Sequence, residues 1–423
     1  MKYFGRVFFE IAGVCNAKCP YCITGNKNAP PGKIISAGMF SDILGKLFAE
    51  KVIDQNTRIY LFNKGEPFLH PNLSGIIDIL HNYNLKYEIS TNGSIVPHID
   101  KKLVSGLQLL TFSMPGFSQN SYDKIHGFDF EEIKTNMTEI VRQLKQHGYE
   151  NFININYHLY QFSLLEIKDC EFFARKLGIS LEPMFAFIND WWIFNDWLND
   201  NLSQDTQKKM MEELLFFSEY KRLLKSAPEG YSCDQFNVLV IDEEGNMATC
   251  CGLPKEHEDY HCGNVLNDDI DQTLRNKFNK PVCDYCHKEG ITYALNEGCV
   301  HRADIFAINN DVKRVAIFGA GSGGKIALEL SSRCGWVVAY FVDSNANIGR
   351  REFLNGYDVK TPASLLERDF ELIIVATGDG KKSVFEQLNN MGFSYQRDYI
   401  HFLDTVIVDN CEISVKTGKP KSK

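Results

Sequence analysis

The sequence predicts an α/β protein in three parts. These are a partial (β/α)6 barrel over residues 1–225, a small cysteine-rich α+β domain over 226–305 and a second α/β domain over 308–405, with 406–423 left as a tail. Three observations predict it. Apolar runs of strand length alternate with amphipathic helical stretches through the first half, the pattern of repeated βα units on a parallel sheet. Cysteines then crowd between Cys233 and Cys299. Finally, the apolar run Arg314–Phe318 leads into a glycine-rich turn and a helical stretch, the grammar of a second parallel sheet.

The strand candidates of the first part are Val7 to Ile11, Arg58 to Phe62, Lys86 to Ser90, Leu109 to Ser113, Phe152 to Tyr157 and Ser180 to Met184. Six such strands suggest a partial, TIM-like barrel, and a helix from about Asp205 to Leu224 closes it. In parallel sheets the chemistry gathers at the carboxyl ends of strands. The residues just after each run therefore carry most weight.

At 423 residues with 44% hydrophobic content, the chain has ample material for ordinary cores. It holds no apolar run of the roughly 18 residues a membrane span needs, and no signal-peptide pattern, so a cytoplasmic protein without a membrane partner is expected. Thirteen cysteines in a reducing compartment favour metal over disulfides. A net charge of -9 argues against sequence-independent nucleic-acid binding, which needs a cationic surface. Lys416, Lys419, Lys421 and Lys423 read as a solvated tail.

The first apolar run ends in Cys15-Asn-Ala-Lys-Cys19-Pro-Tyr21-Cys22, spaced C-x3-C-x2-C. Three thiols on so short a loop can converge on one point. A four-iron cluster is normally held by four thiolates, so three would leave one iron without a protein ligand. A zinc knuckle, which wants a fourth ligand nearby, and a disulfide with an odd thiol are the other readings. The spacing, with Tyr21 just before the third cysteine, resembles the radical SAM superfamily. That resemblance implies a 4Fe-4S cluster on Cys15, Cys19 and Cys22 whose open iron chelates S-adenosylmethionine (SAM) and passes an electron to its sulfonium, releasing a 5′-deoxyadenosyl radical.

The second run ends in Asn63-Lys64-Gly65-Glu66-Pro67, similar to the superfamily's Gly-Glu-Pro element. The resemblance implies that Gly65, Glu66 and Pro67 meet the amino group of SAM. As a bland turn the same residues would also serve: glycine for close approach, proline to fix the bend. After the third run come Ser90-Thr91-Asn92-Gly93, with Ser90 and Asn92 the expected cofactor contacts, although Asn-Gly is also a common turn. The fourth run ends in Ser113, where superfamily members often carry a serine facing the ribose. The acid that commonly follows two positions later is absent. His126, in the connection to the next helix, reads as structural. Asn189 to Trp197 holds three of the four tryptophans among acids and amides, either a substrate wall for a sugar or packing at a domain junction.

In the second part Cys233 and Cys250 flank a β-like run and Gly245, whose place suits a hairpin turn that returns Cys250 to Cys233. Cys283 and Cys286 follow as a C-x2-C pair. Two distant cysteine pairs make a closed thiolate site, for zinc or for iron and sulfur. The arrangement resembles the SPASM and twitch modules of radical SAM enzymes. That likeness implies a second, auxiliary 4Fe-4S cluster on Cys233, Cys250, Cys283 and Cys286, with Cys251, Cys262 and Cys299 unassigned.

In the third part Gly319-Ala-Gly321-Ser-Gly-Gly324 follows a strand and opens a helix, and Asp343 ends the next strand, Val337 to Val342. Leu372 to Ala376 is a further strand. Such glycines let backbone meet a phosphate at the helix N-terminus, and the acid lies where it would meet a ribose diol. With Gly349, Gly356 and Val359, the region resembles small Rossmann-like modules of bacterial sugar-modifying enzymes. A bound nucleotide is one implication; simple docking of domains is the other.

The expectation is therefore a radical SAM oxidoreductase acting on a sugar or nucleotide-linked sugar, with an electron donor of the flavodoxin or ferredoxin type. A peptide maturase is the alternative. The chain begins almost at its first strand, an expectation against a leader-recognition domain. A radical methyltransferase or carbon–carbon bond-forming enzyme, and from another class a zinc-binding, nucleotide-responsive scaffold, are the remaining readings.

Overall fold

A computed structural model describes residues 3–26, 32–214, 224, 230–293, 304–308, 314–333, 335–346, 352–354, 356–377, 380–395, 397–401 and 405–409. The chain divides into two compact units, one carrying Met1–Leu214 and Leu223–Gly298, the other Cys299–Lys423.

All six expected strands of the first unit form: β1 (Arg6–Phe9), β2 (Arg58–Tyr60), β3 (Lys86–Thr91), β4 (Leu107–Met114), β5 (Phe152–Leu159) and β6 (Ser180–Phe185). They lie side by side in chain order, each pair parallel. Intervening helices cover the sheet with their apolar faces. The helix Phe130–Gln146 is capped by Asp129, whose side chain accepts from the Glu132 N–H, and it buries Ile133, Met137, Ile140, Val141 and Leu144. Each such side chain is worth about 1.5–3 kcal/mol of transfer from water. The closing helix ends earlier than expected, at Glu213 with Leu214 extended after it; residues 215–223 of the expected continuation lie outside the described residues.

β1 is shorter than the apolar pattern predicts. Glu10 leaves its alternation, giving its N–H to the Ile241 carbonyl while its carboxylate turns to the backbone of Lys64 and Gly65. Ile241 belongs to β7 (Leu239–Ile241), which pairs in parallel with β1, and the antiparallel β8 (Asn246–Ala248) and β9 (His261–Asn264) follow. The segment expected to stand as a second domain thus extends the sheet of the first to nine strands. Gly245 makes the expected hairpin turn at φ +80, its N–H donating to the Asp242 carbonyl.

The second unit contains β10 (Asp304–Ile308), β11 (Arg314–Phe318), β12 (Val337–Val342), β13 (Glu352–Leu354), β14 (Tyr357–Lys360), β15 (Leu372–Val375), β16 (Tyr399–His401) and β17 (Thr405–Asp409). β10 and β17 pair in parallel, and the rest form one sheet in the order β13-β14-β12-β11-β15-β16. Every pair in that sheet but β13–β14 is parallel. Along β11, Val315 and Ile317 enter one core cluster while Ala316 and Phe318 enter another. Both faces are therefore covered, as a parallel strand requires.

Candidate active site

The loop after β1 brings Cys15, Cys19 and Cys22 to one wall of a cavity of about 350 Å³. The turn is held by backbone bonds from Cys22 to the Cys19 carbonyl and from Asn26 to the Cys22 carbonyl, while Lys18 N–H donates to the carbonyl of His126. Gly25 is required here: a Cβ would lie 2.6 Å from the Cys19 nitrogen. Burial pushes the Cys15 thiol up to about 11, and the nearby Glu66 and Cys22 raise it further. Burial also raises Cys19, followed by the charges of Cys22 and Cys15. Thiols that share so dry a neighbourhood ionise readily only beside a cation.

The other walls are the strand ends that follow. A Cβ on Gly65 would meet the Ala12 carbonyl at 1.8 Å, so only glycine lets this turn rest on the strand leading to Cys15. The N–H of Glu66 donates to the Val14 carbonyl at 2.8 Å, and Pro67 opens a 3-10 turn, Pro67–Leu69. The Glu66 carboxylate accepts from Phe68 N–H, the Thr91 hydroxyl and Asn92 N–H at 3.0, 2.8 and 2.7 Å. Burial nevertheless pushes its pKa up to about 7. The acid expected on an amino group therefore serves first to lock the end of β2 to the end of β3. Glu10, just after β1, holds the same turn by accepting from the N–H groups of Lys64 and Gly65, and burial pushes it to about 7 as well.

Asn92 reaches from β3 to the cysteine loop, its amide donating to Asn16 Oδ1 at 3.0 Å and to Cys15 Sγ at 3.8 Å. Ser90 and Ser113 both border the cavity, their hydroxyls 3.4 Å apart. Tyr21 also borders it; its hydroxyl donates to Glu213, and its carbonyl accepts from Asn189 N–H at 2.7 Å. Sequence reasoning missed Asn156 and His158 of β5 and Met184 of β6, which also line the cavity. Their place at the carboxyl ends of strands was the available signal. His126, which also faces the cavity, and His158 are held neutral by burial, at about 3 and about 4.

The tryptophan segment packs rather than lining this cavity. Asp190 caps the helix Trp191–Leu198. Trp197 is 2% exposed, and Trp191 stands edge-on to His257 and Tyr285. Trp192 lies stacked on His257 and 41% exposed. Of this stretch only Asn189 borders the cavity.

A second group of thiols lies around Cys250, whose charge acts on Cys233, Cys251, Cys262, Cys283 and Cys286. Cys283 and Cys286 share one face of the helix Pro281–Glu289, near the end where N–H groups favour thiolate. Asp259 accepts from Val282 N–H at 2.8 Å and fixes that end. Burial pushes Cys283 and Cys251 to about 12. Cys262 is buried in β9, 3.3 Å from the Thr249 hydroxyl. Cys299 lies outside the described residues, among which no three Cys, His, Asp or Glu side chains close in on one point as a single metal ion requires.

In the second unit Gly319 takes φ +120, and a Cβ on Gly324 would lie 2.2 Å from the Gly319 carbonyl oxygen. Both glycines thus serve the close strand–helix approach, whereas a Cβ on Gly321 would meet open space. Asp343 Oδ2 accepts from Ala320 N–H at 3.2 Å, so the acid supports the glycine turn itself. Gly349 lies outside the described residues.

A parallel α/β sheet whose first strand delivers a C-x3-C-x2-C loop, with a Gly-Glu-Pro turn and a polar Ser-Thr-Asn-Gly end on the next two strands, defines the class that the chain resembles, the radical SAM superfamily. Among curated proteins it is similar to the antilisterial bacteriocin subtilosin biosynthesis protein AlbA of Bacillus subtilis (strain 168), 23% identical over 283 residues, 65% of this chain. The match spans 59% of that relative's length. No family model matches. Among solved structures it is similar to native anSMEcpe with bound AdoMet (TM-score 0.45, 13% identity, 68% of this chain and 83% of that one). Another is Streptococcus suis SuiB (TM-score 0.44, 14% identity, 70% and 73%).

Proposed function

We propose that this chain is an iron–sulfur oxidoreductase that cleaves SAM reductively and uses the resulting radical to take a hydrogen atom from its substrate. The observation that carries this reading is the meeting of the half-buried trio Cys15, Cys19 and Cys22 with the ends of β2, β3 and β4 around one cavity. When bound, a four-iron cluster and SAM would supply the electron and the 5′-deoxyadenosyl radical. The protein's own part is orientation. Asn92 would hold the Cys15 sulfur and, with Ser90 and Ser113, present polar groups to the cofactor. Glu66 and Glu10 would fix the turn that carries Gly65, and Tyr21 would brace the loop from outside. In this reading six of the first unit's strands form the partial barrel.

Cys233, Cys250, Cys283 and Cys286 are the proposed ligands of an auxiliary cluster that takes an electron from the substrate radical. Cys251 is as deeply placed and is the first alternative ligand. A flavodoxin or ferredoxin would deliver the priming electron. For substrate, a peptide is favoured over a sugar: the curated relative is named for bacteriocin biosynthesis, and the tryptophans that suggested a sugar wall are engaged in packing. A nucleotide at Gly319, Gly321, Gly324 and Asp343 would share a carboxylate that already accepts from the N–H groups of Ala320 and Asn345.

The test is 5′-deoxyadenosine release from anaerobically reconstituted, reduced protein with SAM. Release in the wild type and the Cys233→Ala variant, but not in Cys15→Ala, is expected. Equal release from Cys15→Ala would remove the reading.

A further inference from the structure

Lysine is rarely buried without a partner, yet Lys277 is fully buried and Lys64 half-buried beside the second thiol group. Lys277, on the helix Ile270–Phe278, is 0% exposed, and its ammonium donates to the carbonyl of Thr249, the residue before Cys250. Its charge is opposed by burial and favoured by Cys250, Cys262, Cys283 and Cys251. Lys64, in the loop after β2, donates to the Leu253 carbonyl at 2.9 Å. Burial opposes its charge too, while Cys22 of the first loop, then Cys251, Cys250 and Glu10 favour it. Among the described residues neither ammonium forms an ion pair with a carboxylate. A buried cation held only by a carbonyl is expensive unless an anion compensates it. The anions within reach are sulfurs.

We propose that Lys64 and Lys277 are positioning residues that set the reduction potential of the metal group held by the second thiol set. This rests on the assignment of an iron–sulfur cluster to Cys233, Cys250, Cys283 and Cys286. A thiolate-bound cluster is anionic, and each added electron makes it more so. An ammonium in a dry neighbourhood stabilises the reduced form more than the oxidised one, so it raises the potential. The step is a one-electron reduction in which no bond forms or breaks. In turnover the electron would come from a substrate radical, and in the test it comes from dithionite. Lys64 borders the cavity that Cys22 lines and donates to the carbonyl of Leu253, two residues past Cys251, so it is also placed to link their charge states.

The test is a dithionite titration with redox mediators, followed by electron paramagnetic resonance, on full-length protein carrying Cys15→Ala, Cys19→Ala and Cys22→Ala, so that only the second group reports. Lys277→Gln and Lys64→Gln keep a donor for their carbonyls and remove the charge; Lys64→Arg keeps it. Each glutamine variant should move the midpoint to lower potential by at least about tenfold in the reduction equilibrium, about 59 mV for one electron. Lys64→Arg should stay near its parent. Unchanged midpoints in glutamine variants that hold the parent's iron would overturn the lysine role alone. If Lys277→Gln loses iron, Lys64→Gln decides. A parent that binds zinc in place of iron would overturn this proposal together with the auxiliary-cluster assignment, and the metal analysis separates that failure from the first.

Discussion

Glu66 Oε2 accepts the backbone N–H of Asn92 at 2.7 Å, joining the turn after β2 to the turn after β3 inside the dry wall of the cavity. With Phe68 N–H and the Thr91 hydroxyl on the other oxygen, this carboxylate fixes the relative height of two loops that border the cavity. Losing an acceptor there leaves buried donors unsatisfied, at about 1–3 kcal/mol each. Glu66→Ala should lower the urea midpoint of unfolding strongly and weaken SAM binding in calorimetry. Stability within experimental error of wild type would show that the clamp is unimportant.

Between about pH 4.5 and 6.5 two opposed contributions partly offset each other in the pH dependence of stability. Glu66 has a folded pKa raised from 4.5 to about 7, so its stabilising contribution is full below the unfolded value and lost as pH rises through that window. His126 and His158 have folded values lowered from 6.5 to about 3 and about 4; theirs is present above 6.5 and lost on acidification. Glu66→Gln should therefore make the protein lose stability more steeply as pH falls below 6.5, and His126→Asn less steeply. Parallel wild-type and variant profiles in urea unfolding would contradict both assignments.

Much of this was legible in the sequence because it was local. The six parallel strands, the cysteine spacing and the polar residues at strand ends all follow from period, composition and neighbours. The pairing of β7 with β1 was not: Ile241 and Phe9 are far apart in the chain, and nothing in either run specifies its neighbour. Lys64 and Lys277 read as surface residues from their type, and only the fold shows Lys277 buried and Lys64 half-buried. The tryptophans of the segment after β6 look like a ligand wall in sequence, whereas packing beside Tyr285 and His257 employs the same flat rings.

That packing makes a simple mutational prediction. Trp197→Ala should cost about 3–5 kcal/mol, as truncation of a buried large aromatic does. Trp192→Ala, at an exposed position, should remain within about 0.5 kcal/mol of wild type. Thermal unfolding of the two variants separates these outcomes; equal losses would mean that Trp192 is covered in solution.

Gly65→Ala supplies a sharper steric test. The new methyl would stand 1.8 Å from the Ala12 carbonyl oxygen, so the turn must move away from the cysteine loop. SAM-dependent 5′-deoxyadenosine release should fall by at least about tenfold, the equivalent of 1.4 kcal/mol in the barrier. Full activity in the purified variant would place the cofactor away from this turn.

The central claim is that the metal group on Cys15, Cys19 and Cys22 binds SAM directly. Electron–nuclear double resonance on the reduced protein with SAM labelled with nitrogen-15 at its amino group tests it most directly. A hyperfine coupling from that nitrogen to the iron signal, lost in Cys15→Ala, is the predicted result. An iron signal unchanged by SAM, with no nitrogen coupling, would contradict the account.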